Sequence, residues 1–457
     1  MKQIRFHLPV FLLLILFLGL SLRLFQIGSD GFWVDELGVA QAAYAPNLVG
    51  VLAIVRGHVM AMPLDYVVAW GMGHFSTSEG WLRLPEALWG TLTLLIAYFL
   101  YRDHISKRAT YLGILLLAIS PMMIKYSQEL RFYAPLVFFY TLSTFVGLRA
   151  TRENKLSLWS LYTLVTILGL FFHLYVTFSF INVGIWFITH PAKEKRSLIP
   201  STISFLLIFG SAAIAVAQFG QLAGAPSPLF SFETPLQVIG AGLGFLPPYQ
   251  APAPAYFYGL ALFCFFIVGL ISLRNLWPLM ISIFLQVTMI LGLDAWRGYF
   301  ASARQLIPLL PIVMIFIAGG FDRVIEFVEN RVGKRPFSHF PVYLGISVLL
   351  AGSLFVLVPY YEAEKTSTRE ILTILSEKWQ AGNEIWVMPS YNQVVYSHYA
   401  PWLASALHPI DGGVPAGNSD GARFLLAVPG YSPGSDFVKL YQSPDTTFYP
   451  QSLWWSP

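Results

Sequence analysis

One cysteine, Cys264, is all the sequence contains, so an intramolecular disulfide is excluded and thiols give no reading of the redox compartment. Charged residues make up only 11% of the 457, against roughly a quarter in soluble domains. No glycine-rich loop opens a strand–helix unit of the kind that cradles a nucleotide, and no Cys or His cluster has zinc spacing. Chemistry on a soluble nucleotide-sugar is therefore without support. The net charge of +4 is small and spread among loops, which fits membrane topology and not nucleic-acid binding.

What the chain has in abundance is apolar length. Hydrophobic residues are 56% of the sequence, in runs near the ~20 residues that span a bilayer. The run from Leu8 to Ile27, after Lys2 and Arg5, is longer than a secretory h-region, contains Arg23 and lacks a small-x-small cleavage site. It reads as an uncleaved first span. Further spans are expected at Pro85 to Tyr101, Ala109 to Tyr126, Phe132 to Ala150, Leu156 to Phe172, Tyr175 to Thr189 and Leu198 to Ala217. Four more follow, at Tyr256 to Leu273, Leu276 to Leu293, Gln305 to Gly320 and Pro341 to Val358, giving about eleven in an α-helical polytopic membrane protein.

Positive charge tests that count. With the amino terminus inside, the cytoplasmic segments carry Arg102, Lys107 and Arg108, then Arg149, Arg152 and Lys155, then Lys193, Lys195 and Arg196, then Arg274, and finally Arg323, Arg331, Lys334 and Arg335. Met62 to Phe75 is apolar but short and begins at Pro63; as a span it would invert every later loop, so it is expected as an amphipathic helix on the outer surface. Residues 28–84 then form one long extracytoplasmic loop. The membrane domain is expected over 1–358. From 359 to 457 charge, Gly and Pro rise and Glu384 to Met388 reads as a strand, which predicts a small extracytoplasmic α+β domain with the carboxyl terminus outside.

The long loop carries two adjacent carboxylates, Asp35 and Glu36, just after the first span. Adjacent side chains point in different directions, so both cannot face one reacting atom. A reaction that needs one carboxylate beside lipid is sugar transfer from a lipid phosphate. The acceptor must lose a proton to a base, and the departing phosphate gains charge that calls for Arg, Lys or a metal ion. Cations stand at the outer ends of the expected spans: Arg23, Arg83, Lys125, Arg131, Arg297 and Arg304, with His58 and His173 on the same side. Each also has a plainer reading. An Arg at a helix end snorkels to headgroups, Glu129 and Arg131 pair structurally, and the two histidines cap or pack.

Order along the chain adds to this. Leu22-Arg23-Leu24 followed by Trp33-Val34-Asp35-Glu36, then His58 with Pro63-Leu64-Asp65-Tyr66, Arg83-Leu84-Pro85, and Tyr126-Ser127-Gln128-Glu129-Leu130-Arg131-Phe132-Tyr133-Ala134 resembles the GT-C glycosyltransferases of the protein O-mannosyltransferase and aminoarabinose transferase type. His173-Leu174-Tyr175 and Arg304-Gln305-Leu306-Ile307-Pro308 echo later elements of that family. The resemblance covers roughly Leu8 to Gly320; the His58 element is looser than the family's, and the tail is shorter than in some relatives.

The resemblance implies a GT-C membrane fold, a polyprenyl-phosphate sugar donor and inverting transfer on the extracytoplasmic face. By analogy Asp35 is the catalytic base with Glu36 supporting the loop. Arg131, Arg304, Arg83 and Lys125 hold the donor phosphate, and Glu129, His58, Tyr133 and His173 line the substrate site. A divalent metal, where one takes part, would sit on Asp35 and Glu129. The acceptor class stays open among lipid, glycan and protein, and a bacterial inner or cell membrane is the expected location. Three rivals stand beside this reading: a transporter or flippase of lipid-linked sugars, a polymerase or ligase using a polyprenyl-diphosphate glycan, and a receptor whose external tail binds a ligand. A transporter would place ionisable residues along a path at mid-depth, whereas the charges here cluster at one surface and the spans are largely uncharged.

Overall fold

The computed structural model describes residues 9–58, 61–190, 198–220, 235–246, 253–297, 302–332, 340–363, 366–411, 423–427, 437–443 and 451–456. Lys2, Arg5, Lys193, Lys195, Arg196, Lys334 and Arg335 lie outside these residues, as does the side chain of Arg297.

Apolar helices build the body. They run α1 (Val10–Leu24), then after the external loop α5 (Glu79–Arg102), α6 (Lys107–Ala118), α7 (Pro121–Lys125), α8 (Tyr133–Glu153), α9 (Leu156–Leu170) and α10 (Ser179–Thr189). There follow α11 (Ile199–Phe219), α12 (Pro235–Gly242), α13 (Ala253–Ser272), α14 (Trp277–Arg297), α15 (Leu310–Val332) and α16 (Phe340–Glu362). Among the described residues six helical stretches are long and apolar enough to cross a bilayer by themselves, the most enclosed being Ala303–Arg331. α1 and α9 are apolar but shorter. Large apolar side chains such as Phe17, Leu206 and Phe284 stand exposed on these helices, as lipid-facing surface requires. Where α13 meets α15 the backbones touch: a Cβ at Gly269 would lie 1.9 Å from the Phe316 carbonyl oxygen. Only glycine allows that approach.

One expected span is two helices. The run Ala109 to Tyr126 breaks at Ser120-Pro121, because proline has no amide to continue the ladder and pushes its predecessor out of the helical region. The break leaves carbonyls at the end of α6, and Arg23 occupies them. Its guanidinium donates to Ala118 O at 3.2 Å and Leu117 O at 3.5 Å, to Gly19 O at 2.9 Å, and to Ser127 Oγ at 3.3 Å. Arg23 is fully buried, so it is a capping cation inside the bundle and not a snorkel. Gln128 does the same for α1, donating to carbonyls of Leu22, Arg23 and Phe25 while its own carbonyl accepts from Tyr360.

The external loop is helical for much of its length: α2 (Val34–Ala40), α3 (Leu48–Gly57) and α4 (Pro63–Gly73), the last opened by Pro63 at its first turn and covering most of the expected surface helix. The carboxyl-terminal part holds α17 (Thr368–Lys378), α18 (Gln393–Tyr399) and strands β1 (Glu384–Val387), β2 (Leu407–Pro409), β3 (Arg423–Ala427), β4 (Val438–Gln442) and β5 (Ser452–Ser456). The sheet order is β2-β1-β3-β5-β4; β1 is parallel to both β2 and β3, and β5 runs antiparallel to β3 and β4. This small domain packs on the external loop through α18 and α2, with Val395 buried among Phe32, Leu37 and Val39.

Candidate active site

The acidic pair divides its labour as adjacency demands. Glu36 is the third residue of α2, and its carboxylate turns back to accept from the Trp33 amide in a capping box. It also accepts from the Leu130 amide at 2.8 Å and from Arg83 at 2.7 Å on each oxygen. Both side chains are 1% exposed. Asp35 points the other way and keeps 30% of its side chain exposed.

Around Asp35 stand two guanidinium groups. Arg304, brought by the start of the α15 segment, donates to Asp35 Oδ2 at 3.1 Å. Arg131, on the loop between α7 and α8, donates to the Asp35 carbonyl at 3.0 Å and reaches Oδ2 at 3.9 Å. Tyr133 is buried below them, its ring 5.9 Å from the Arg304 guanidinium and 4.7 Å from the Tyr126 ring. The charges of Arg304, Arg131, Glu129 and Asp35 all act on it. Lys125 is buried with its ammonium 5.3 Å from the Tyr126 ring. The structure therefore brings Asp35, Arg131, Arg304, Tyr133 and Glu129 together.

The other expected residues stand apart. Arg83 is not a phosphate ligand here, a correction with a plain stoichiometric reason. A guanidinium has five N–H donors. In Arg83 they go to the two oxygens of Glu36 and to the carbonyls of Ile27, Asp30 and Gly31, and none is left for a phosphate. His58 Nδ1 donates to Ile54 O, 2.8 Å away, and its Nε2 lies against Gly38 of α2. His173 caps the turn between α9 and α10, accepting from the Tyr175 amide at 3.1 Å, and stacks 4.3 Å from Phe132. Burial, with the Arg131 charge adding, pushes its imidazole down to about 3, so it is a neutral packing residue at ordinary pH. Asp35 and Glu129 find no third His, Cys, Asp or Glu, since no group of three such side chains forms a metal site among the described residues.

Two acids escape the sequence reading. Asp65, in the first turn of α4, is 2% exposed and Glu86, in α5, is 1% exposed. Both Asp65 oxygens and Glu86 Oε2 are buried without a hydrogen-bond partner. The Asp65 charge acts on Glu86, and Asp65 feels Arg131. Burial pushes Asp65 up to about 7 against the pull of Arg131. Glu86 carried a signal, an ionisable residue in an apolar run, which marks a functional position by default.

This architecture has known counterparts. Residues 61–224 match the family model of dolichyl-phosphate-mannose-protein mannosyltransferases. The oligosaccharyltransferase of Archaeoglobus fulgidus in its apo form superposes with a TM-score of 0.51 at 13% identity, over 91% of this chain and 69% of that one. ArnT from Cupriavidus metallidurans in its apo state gives 0.50 at 11% identity, over 97% of both chains. The chain has the GT-C fold. A comparison with curated proteins returns no match. Within this GT-C chain the matched family segment runs from the start of α4 through α5 to α11, and so takes in Glu86, Arg131 and Tyr133, while Asp35 and Arg304 lie on either side of it.

Proposed function

We propose that the protein transfers a sugar from a polyprenyl-phosphate donor to an acceptor hydroxyl or amine, with inversion, at the end of the bundle that carries the small domain. The observation that carries this reading is Asp35, part-exposed and held between Arg131 and Arg304. The lipid-phosphate class is supported by the description of the matched family, whose donor is dolichyl-phosphate mannose.

Asp35 takes the acceptor proton as the nucleophile attacks the anomeric carbon from the face opposite the phosphate. The bond from that carbon to the phosphate oxygen breaks, and the phosphate leaves with its electron pair and an added negative charge. Arg304 and Arg131 neutralise it. The same two cations hold Asp35 before donor arrives. A phosphate that draws the guanidinium groups toward itself frees the carboxylate to face the acceptor. Donor binding thus prepares the base. Glu36 and Arg83 keep the loop in place for this.

Cation distribution supports an extracytoplasmic site. Arg102, Arg108, Arg149, Arg152, Arg274, Arg323 and Arg331 sit at the helix ends away from Asp35, tied among themselves by pairs such as Arg108 with Asp322 and Glu329, and Arg152 with Asp103. The test is transfer of radiolabelled polyprenyl-phosphate sugars to a cell-envelope extract by the purified protein, beside Asp35→Asn. Label entering a product with wild type alone supports the reading. Near-normal transfer by the variant rejects Asp35 as the base.

A further inference from the structure

The small domain meets the membrane domain at its functional edge. In the order β2-β1-β3, the chain leaves β1 to one side and returns to the other, so the carboxyl end of β1 is a topological switch point. In sheets of this kind ligands sit in the crevice at that end. The turn that follows β1, Ser390–Asn392, is held rigid from β2's side: Asp411 accepts from the Ser390 amide at 2.8 Å and from its hydroxyl at 2.7 Å.

Tyr391 is on that turn and is 58% exposed. It lies within the field of Asp35, and burial together with the Asp35 and Asp411 charges pushes its phenol up, so it stays neutral. The helix that follows, α18, seats Val395 in the core beneath α2, and Tyr399 at its end accepts from the Phe32 amide and donates to Glu79 at 3.1 Å. The turn is therefore tied, through α18, to the loop that carries Asp35.

We propose that the turn at the carboxyl end of β1 is part of the acceptor subsite and that Tyr391 is the platform on which an acceptor sugar ring stacks. The proposal rests on the reading of Asp35 as the base. Its chemistry favours a glycan. The turn supplies an exposed aromatic face beside Ser390, Asn392 and the Asp411 carboxylate, and residues 388–393 and 410–411 contain no Lys or Arg to attract an anionic acceptor.

The test uses the full-length protein in detergent, labelled polyprenyl-phosphate sugar, and an envelope extract of the source organism given intact, protease-digested or periodate-oxidised. Release of label to water in the absence of extract reports donor use alone. Tyr391→Ala should lower transfer to the intact extract about tenfold, with release to water unchanged, while Tyr391→Phe transfers as wild type because the ring is kept. Periodate treatment should remove the acceptor and protease should not. Wild-type transfer by Tyr391→Ala overturns the subsite, as does an equal fall in transfer and release. Loss of the acceptor to protease alone overturns the sugar-ring assignment. Wild-type protein that transfers nothing from any donor overturns the glycosyltransferase reading itself, and the subsite with it.

Discussion

Arg83 and Glu36 form a two-pronged ion pair, 2.7 Å on each prong, between the mouth of α5 and the first turn of α2. With both side chains out of water and every remaining donor on a loop carbonyl, the pair fixes residues 27–36 against the bundle. Its worth lies in placing Asp35, since burying two charges is itself costly.

Breaking that pair should damage the fold before it damages chemistry. Glu36→Gln leaves a buried guanidinium without its counter-charge, a loss of about 3–5 kcal/mol. The expected result is a lower thermal midpoint in detergent and poor recovery of folded protein. Asp35→Asn, at a part-exposed site, should unfold as wild type does. Equal midpoints for the two variants would remove the structural role assigned to Glu36.

Arg304 faces Asp35 with an exposed flank and is the cation best placed to take a phosphate. Arg304→Ala should weaken donor binding by one charge-assisted contact, about 1.5–3 kcal/mol, or roughly 10- to 150-fold in Kd. Arg83→Lys should reach the same loss of activity only through loss of folded protein. Equilibrium binding of labelled donor to the folded fraction separates the two. Unchanged donor affinity in Arg304→Ala would remove it from the phosphate site.

Much of this was legible along the chain and some was not. The helices fall where the apolar runs place them, and the segment Tyr126 to Ala134 carries its residues close together in sequence. Arg304 was readable as a cation on the right side and, through the family resemblance, as a phosphate holder; its pairing with Asp35 spans 269 residues and depends on how the last enclosed helix packs. Arg23 looked like a headgroup contact because the break at Pro121, which creates the carbonyls it caps, reads in sequence as one continuous span. Glu36 and Asp35 were separable in principle by direction, but which of them turns inward is decided by Arg83 and the Leu130 amide, both remote in the chain.

Asp65 gives a pH dependence with a definite sign. Its carboxyl is raised from an unfolded value of 3.8 to about 7, so the folded protein binds the extra proton between those limits. Stability is greatest below pH 3.8 on this account, falls as pH rises toward 7, and is flat above. About three pH units correspond to a contribution on the order of 4 kcal/mol. Asp65→Asn removes the titration, so relative to wild type it should gain stability at pH 8 and gain nothing at pH 4. Chemical denaturation at the two pH values checks this. A gain of the same size at both would mean that the carboxylate finds a proton-independent partner.

The small domain's hold on the acidic loop can be loosened by one oxygen. Tyr399 Oη accepts from the Phe32 amide and donates to Glu79, which Arg369 also engages at 2.9 Å while donating to Ser29 O at 2.8 Å. Phe32 is 1% exposed, so its amide has no water to replace the phenol. Tyr399→Phe should therefore leave a buried donor unmade, costing about 1–3 kcal/mol locally. Hydrogen exchange at the Phe32 amide should quicken by roughly 5- to 150-fold, while amides in α8 and α15 keep their wild-type rates. Gly31→Ala should act in the same direction by another route. Its new Cβ would stand 3.0 Å from that same phenol oxygen, forcing the ring and the loop apart. If both variants leave the Phe32 amide as protected as before, the loop is held by the Arg83–Glu36 pair alone, and the small domain merely rests on it.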